Sequence, residues 1–140
     1  MSRFVLDNTV TMAWCFTEEA TEFTEALLGR LSNLHDNAIV PALWLYEVVN
    51  VTELAVRKGR VTEEKALAFL ESLADLPIEI ENPTRTQMFV SVRALVGQHK
   101  LTAYDASYLE LAIRHRLPIA SSDKALTNAA RSAGVDLVTT

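Results

Sequence analysis

Short apolar or β-branched runs alternate with longer amphipathic stretches along the whole chain, and this alternation constrains the fold more than any other feature. Arg3 to Leu6 reads as a first strand, Ala38-Ile39-Val40 as a second and Pro118-Ile119-Ala120 as a later one. Pro77 to Glu81 alternates apolar and acidic residues, as a half-exposed or edge strand does, and Val135 to Val138 reads as a final strand. Between them the pattern predicts a helix over residues 17–34, with Phe23, Ala26, Leu27 and Leu31 on one face. A second helix opens at Pro41, carries Trp44, Val48, Val51 and Leu54, and closes at Gly59. Thr62 caps another to about Ala74, and Thr84 with Gln87 forms a capping-box pattern for a helix towards Gln98. Helices over Ala103 to His115 and Lys124 to Ala133 follow, the last stopped by Gly134. Parallel strands need crossovers of a dozen or more residues, usually helical. The expected fold is therefore α/β, a three-layer α/β/α arrangement with a central parallel sheet. Residues just past the carboxyl ends of such strands converge on one crevice.

Composition limits what that crevice serves. The chain has 140 residues, 49% of them hydrophobic and 22% charged, with four Gly and four Pro, which excludes a disordered or collagen-like chain and predicts a single domain over residues 1–140. No apolar run approaches the roughly 18–20 residues of a membrane span. Met1-Ser2-Arg3 followed by the short run Phe4-Val5-Leu6 does not make a signal peptide. The lone Cys15 rules out an internal disulfide framework, so a cytoplasmic protein with no membrane partner is expected. A net charge of −5 argues against gripping nucleic acid by phosphate neutralisation alone.

Most of the 18 acidic residues are Glu on amphipathic helix faces, but three aspartates and one glutamate stand apart. Asp7 directly follows the first strand, and Asp123 follows Ala120-Ser121-Ser122. Glu47 lies in Ala42-Leu43-Trp44-Leu45-Tyr46-Glu47-Val48-Val49-Asn50-Val51, where a carboxylate is costly unless paired, protonated or bound to a cation. Asn50 lies one turn further on the same face. Asp105 occupies Leu101-Thr102-Ala103-Tyr104-Asp105-Ala106-Ser107-Tyr108-Leu109. Each has a plain structural reading. Asp7 and Asp123 can cap helices, Thr102 with Asp105 fits a capping box, and Glu47 can face water near a helix N-terminus. Taken together, four carboxylates meeting at one rim would repel strongly, and a hard divalent cation would make them stable. Oxygen-only donors favour Mg²⁺ or Mn²⁺ over zinc. His35, His99 and His115 lie in no metal-ligand spacing.

These segments resemble the PIN domain, and more closely the VapC type of toxin ribonuclease from bacterial toxin–antitoxin pairs. The resemblance is carried by Phe4-Val5-Leu6-Asp7-Asn8-Thr9 and by Val40-Pro41-Ala42-Leu43-Trp44 leading to Glu47-Val48-Val49-Asn50. It continues through Leu101 to Ala112, Leu117 to Leu126 and Ala129 to Val135, so it covers essentially the whole chain in order. Tyr104 to Ala112 is its most specific stretch. The resemblance places the family's metal-binding acids at Asp7, Glu47, Asp105 and Asp123. Ser121 stands where the family usually has Thr, Asn8 where Ala or Thr is common, and Thr9 where Ser or Thr is favoured. Asn8, Thr9, Asn50 and Ser121 are thus the expected supporting residues.

What the resemblance implies is a metal-dependent endoribonuclease that cuts RNA to leave 5′-phosphate and 3′-hydroxyl ends, a homodimer, and a small antitoxin partner. Arg57, Lys58 and Arg60, with Arg114 and Arg116, are candidate RNA contacts, or else cations that complement helix C-termini. A haloacid-dehalogenase-like phosphatase would want Asp two residues after Asp7, where Thr9 stands, and no receiver-like arrangement of acids and Lys is present. An inactive PIN-like module whose acidic crevice receives a basic partner, and a PIN-type nuclease that is not a toxin, remain as alternatives.

Overall fold

The computed structural model describes residues 2–140; Met1, counted in the single-domain and signal-peptide readings above, lies outside the described residues. Four strands, β1 (Ser2–Leu6), β2 (Asp36–Pro41), β3 (Ile78–Glu81) and β4 (Ile119–Ala120), form one sheet in the order β3-β2-β1-β4, with every pairing parallel. Helices α1 (Asn8–Ala13) and α2 (Glu22–Ser32) connect β1 to β2, and α3 (Leu43–Arg57) and α4 (Glu63–Ala74) connect β2 to β3. A π-helical segment (Gln87–Val92), α5 (Arg93–His99) and α6 (Ala103–His115) lead to β4, and α7 (Lys124–Ser132) follows it. The result is the expected three-layer α/β/α fold.

The centre of the sheet is apolar because it is covered on both faces. Phe4, Val5 and Leu6 of β1 and Ala38, Ile39 and Val40 of β2 are buried, and Leu27, Leu31, Trp44, Val48, Tyr108, Leu109 and Leu126 pack over them. A polar bond also crosses this core: the Trp44 indole N–H donates to Thr11 Oγ1 at 2.9 Å, tying α3 to α1.

Four expectations need correction. Residues 17–34 do not form one helix: Thr17–Glu19 is a single 3₁₀ turn, and Thr21 restarts the chain as the N-cap of α2. The Thr21 hydroxyl accepts from the Thr24 amide while the Thr24 hydroxyl accepts from the Thr21 amide, a reciprocal cap that favours a new start over a continuous helix. Pro41 is the last residue of β2, level with Glu81 of β3, and the helix begins at Leu43. The Thr84–Gln87 capping box forms and an unbroken helical run leads from it to His99, as expected in extent, but residues 87–92 of that run are π-helical rather than α-helical. Val135 to Val138 is not a strand: Leu137 makes one parallel bridge to Ile119. Because β4 is two residues long, it offers the tail only the Asp136 carbonyl–Ile119 amide and Ile119 carbonyl–Val138 amide bonds.

Register determines what meets at the carboxyl edge. Val5 pairs with Ile39 and Ile119, Leu6 with Ala120, and Pro41 with Glu81. Continued by one or two residues, this register puts Asp7 beside Ser121, level with Pro41 and Glu81 across the sheet.

Candidate active site

Asp7 leaves β1 at that edge, 3% exposed, at the N-cap position of α1 but without capping it through its side chain. Its Oδ2 instead accepts from Thr9 Oγ1 at 2.6 Å and from Ser121 Oγ at 2.7 Å. Both hydroxyls also bind the loop after β4: Thr9 Oγ1 accepts from the Ser122 amide, and Ser121 Oγ from the Asp123 amide. The two loops are thus fastened together through the Asp7 carboxylate. Burial pushes the Asp7 carboxyl above its ordinary value; the Thr9, Ser121 and Asn8 hydrogen bonds resist this, and the Asp123 charge adds to it.

Glu47 stands in the second turn of α3, half-buried, and its Oε1 accepts from the Tyr108 hydroxyl at 2.5 Å. Desolvation raises its carboxyl, the Tyr108 bond lowers it, and the charges of Asp7 and Asp105 raise it again. Asp105 lies in the first turn of α6, where its amide donates to the Thr102 hydroxyl; only this half of the capping box forms, so the carboxylate is not spent on the cap. Burial, then the charges of Asp123 and Asp7, push Asp105 up to about 6. Asp123 does cap its helix, Oδ2 accepting from the Leu126 amide at 2.9 Å.

Asp7 and Asp105 therefore feel each other's charge, and each is also within range of Glu47 and of Asp123. Among the described residues none of the four makes an ion pair. No three His, Cys, Asp or Glu side chains among the described residues stand close enough to be a ready-made metal-binding group. The physical reason lies in their local bonds: Asp7, Glu47 and Asp123 are each turned towards a protein donor, which limits mutual repulsion. Their donor chemistry still fits a hard divalent cation. Every donor is oxygen, no basic side chain among the described residues pairs with them, and the Asn8 Oδ1 beside them is buried without a hydrogen-bond partner. Asn8, Glu47 and Asn50 line one cavity of about 530 Å³, with Asn50 at its exposed rim.

The basic candidates lie elsewhere. Arg57 and Lys58 end α3, about 15 Å of helix axis beyond Glu47. Arg60 pairs with Glu18 and Glu19 and lies 3.6 Å over the Phe16 ring. Arg114 is bound to Glu110 and Glu81, whereas Arg57, Lys58 and Arg116 are exposed and make no ion pair among the described residues.

Sequence reasoning missed Tyr108. It is fully buried and holds Glu47 from a helix about sixty residues away, a role its sequence surroundings of Ala106, Leu109 and Leu111 disguise as core packing. Its spacing of three residues from Asp105 was the available signal, since both then face the same side of α6.

Comparisons with known proteins agree with this fold. Over 110 residues the chain is 27% identical to Ribonuclease VapC3 of Pyrobaculum aerophilum, covering 79% of this chain and 81% of that protein. Its fold matches the crystal structure of PAE2754 from Pyrobaculum aerophilum with a TM-score of 0.68 and 19% identity, over 91% of this chain and 86% of that one. VapBC2 from Rickettsia felis, solved bound to a DNA fragment from its promoter, matches with a TM-score of 0.67 and 13% identity over 97% of each chain. At these identities the two structures speak for the fold alone. The PIN domain model matches residues 4–132, nearly the entire chain, and so the chain belongs to the PIN-domain family.

Proposed function

We propose that this chain is a divalent-metal-dependent endoribonuclease that hydrolyses RNA phosphodiester bonds and is the toxin of a toxin–antitoxin pair. The observation that carries the reading is the convergence of Asp7, Glu47, Asp105 and Asp123 at one crevice with no cationic partner among the described residues, in a member of the PIN-domain family. The similarity to Ribonuclease VapC3 supports RNA as the substrate.

Asp7, Glu47 and Asp105 would hold the ion, Mg²⁺ or Mn²⁺, and Asp123 would complete the set or hold a second. When bound, such an ion supplies Lewis-acid polarisation of the phosphodiester and lowers the pKa of water. The chain's own residues do the rest. Thr9 and Ser121 hold Asp7 in one rotamer, Tyr108 aims Glu47, and Asn8 adds an uncommitted carbonyl oxygen at the wall. Of the five candidate RNA contacts, Arg60 and Arg114 are bound to acids of the protein itself, which leaves Arg57, Lys58 and Arg116 for the RNA backbone. Partners also fit the surface. A groove of about 320 Å³ between α3 and α4, lined by Leu45, Val49 and Leu70 among others, suits an apolar helix of an antitoxin, and the exposed Phe89 and Val90 suit a second copy of the chain. No helix among the described residues is long and apolar enough to cross a membrane, and cytoplasmic action is part of the proposal.

The test is incubation of purified protein with structured RNAs in Mg²⁺, in Mn²⁺ and in chelator. Cleavage by the wild type in metal alone, lost in Asp7→Asn, is expected; equal cleavage by both proteins would contradict the reading.

A further inference from the structure

Asp7 follows β1 and Asp123 follows β4, so these two acids mark one end of the crevice at the carboxyl edge of the sheet. The other end, over β2 and β3, holds a second cavity of about 280 Å³, bounded by Pro41 at the end of β2, Leu43 beyond it and Glu81 at the end of β3. Because Pro41 and Glu81 are level with Asp7 in the register, the two ends lie along one line, about 5 Å per strand. Tyr46 and Tyr104 line both cavities and form the wall they share. Each immediately precedes a candidate metal ligand, Tyr46-Glu47 and Tyr104-Asp105, so each ring stands one helical position round from a carboxylate. Neither ring belongs to the core: Tyr46 is 74% exposed and Tyr104 65%.

α6 serves both compartments with adjoining stripes. Asp105 and Tyr108 face the acids, while Tyr104, Ser107, Glu110 and Arg114 line the second cavity. Met88 and Val92 of the π-helical segment make its far wall apolar. Its polar groups are few and grouped: the Ser107 hydroxyl, bonded to the Ala103 carbonyl, and a buried Glu110 carboxylate held by Arg114, which also binds Glu81. Apolar walls with a few convergent polar groups make a ligand site rather than a packing defect. At this size, just under the ~300–1,000 Å³ of sites for drug-sized ligands, it has room for one planar ring system.

We propose that this cavity holds one nucleobase of the RNA, that of the nucleotide adjoining the phosphodiester at the acids, with Tyr46 and Tyr104 as its stacking faces. The proposal rests on the ribonuclease reading above and adds a subsite to it. Unstacked bases of single-stranded RNA are gripped in this way, by aromatic faces with polar groups at the base edge. Continuity with the cavity that Glu47 lines favours a base over a protein partner, because a base here is tethered to a phosphate there.

The test measures binding and cleavage separately. A short, fluorescently labelled, random-sequence RNA is titrated into the full chain in chelator, and anisotropy is read for the wild type, Tyr46→Ala, Tyr104→Ala and the two Tyr→Phe variants. Each Ala variant should bind about tenfold or more weakly, and each Phe variant should bind as the wild type does, because the ring does the stacking. In metal, the Ala variants should raise KM more than they lower kcat. Once the cut position is mapped, an abasic nucleotide beside it should cost the wild type as much as Tyr104→Ala does, and the two changes together no more than either alone. Ala variants that bind RNA normally, Phe variants as weak as the Ala ones, or fully multiplicative losses overturn the proposal and return the cavity to a protein partner. RNA binding that depends on the tyrosines without any cleavage keeps the subsite and removes the nuclease. Cleavage indifferent to the tyrosines keeps the nuclease and removes the subsite, and a chain that neither binds nor cuts RNA overturns both.

Discussion

Replacing Asp105 by Asn should make the metal-free protein more stable while disabling it. Burial and the charges of Asp123 and Asp7 carry the Asp105 carboxyl from 3.8 to about 6, so the folded state holds this proton more tightly than the unfolded chain. The sign follows from linkage: below about pH 4 the group is protonated in both states and costs nothing, and the penalty grows with pH until it is complete above about pH 6. At about 1.4 kcal/mol per tenfold in proton affinity, the ionised carboxylate would cost the fold about 3 kcal/mol. Asp105 is only partly buried, and screening by water reduces this to about 1–2 kcal/mol. Asp105→Asn removes the charge and keeps the shape. Thermal unfolding at pH 7.5 in chelator should therefore show the variant melting above the wild type, by roughly 3–8 °C for a chain of this size. The advantage should disappear near pH 4. Mg²⁺ should then raise the wild-type midpoint and leave the variant's almost unchanged, since binding at a hundred times Kd adds about 2.7 kcal/mol. A variant no more stable than the wild type in chelator at pH 7.5, or one with the same advantage at pH 4, would refute the repulsion argument.

Further consequences concern the groups that hold the acids. Tyr108→Phe keeps the buried ring but removes the donor to Glu47, a hydrogen bond to a charged group worth about 1.5–3 kcal/mol, so RNA cleavage should fall about tenfold or more without loss of fold by circular dichroism. As the Tyr108 bond lowers the Glu47 carboxyl, the acid limb of the pH–rate profile should move to higher pH in this variant. Ser121→Ala takes a donor from Asp7 and an acceptor from the Asp123 amide; urea unfolding should show a loss of about 1–2 kcal/mol, and Ser121→Thr should restore it.

Much of this was legible from residues alone, for identifiable reasons. Phe4-Val5-Leu6 reads as a strand, and an acid immediately after a strand of a parallel sheet must lie at its carboxyl edge, as Asp7 does. Asp105 and Asp123 were legible as helix-start residues, but the same spacing allowed a pure capping role. The structure separates them: the Asp123 side chain caps, whereas the Asp105 side chain does not. Less legible were features decided by competition between near-equal local solutions. The break at Thr21 depends on which threonine wins the backbone amides, and the π-helical turn after Thr84 lies between the capping box and the packing of Met88 against Ser107. The tail at Val135 has strand-like residues but meets a β4 too short to pair with it. Tyr108 was hidden because an aromatic residue amid apolar neighbours looks the same whether or not its hydroxyl reaches a carboxylate.

Calorimetric titration of Mn²⁺ into the metal-free protein at pH 6, repeated in two buffers of different ionisation enthalpy, asks whether these carboxylates hold a divalent ion. Asp105 titrates near that pH, so an ion bound among the carboxylates must expel a proton. The account predicts binding with a fraction of a proton or more released per ion, and a smaller release from Asp105→Asn. No binding, or binding with the same heat in both buffers, would contradict it.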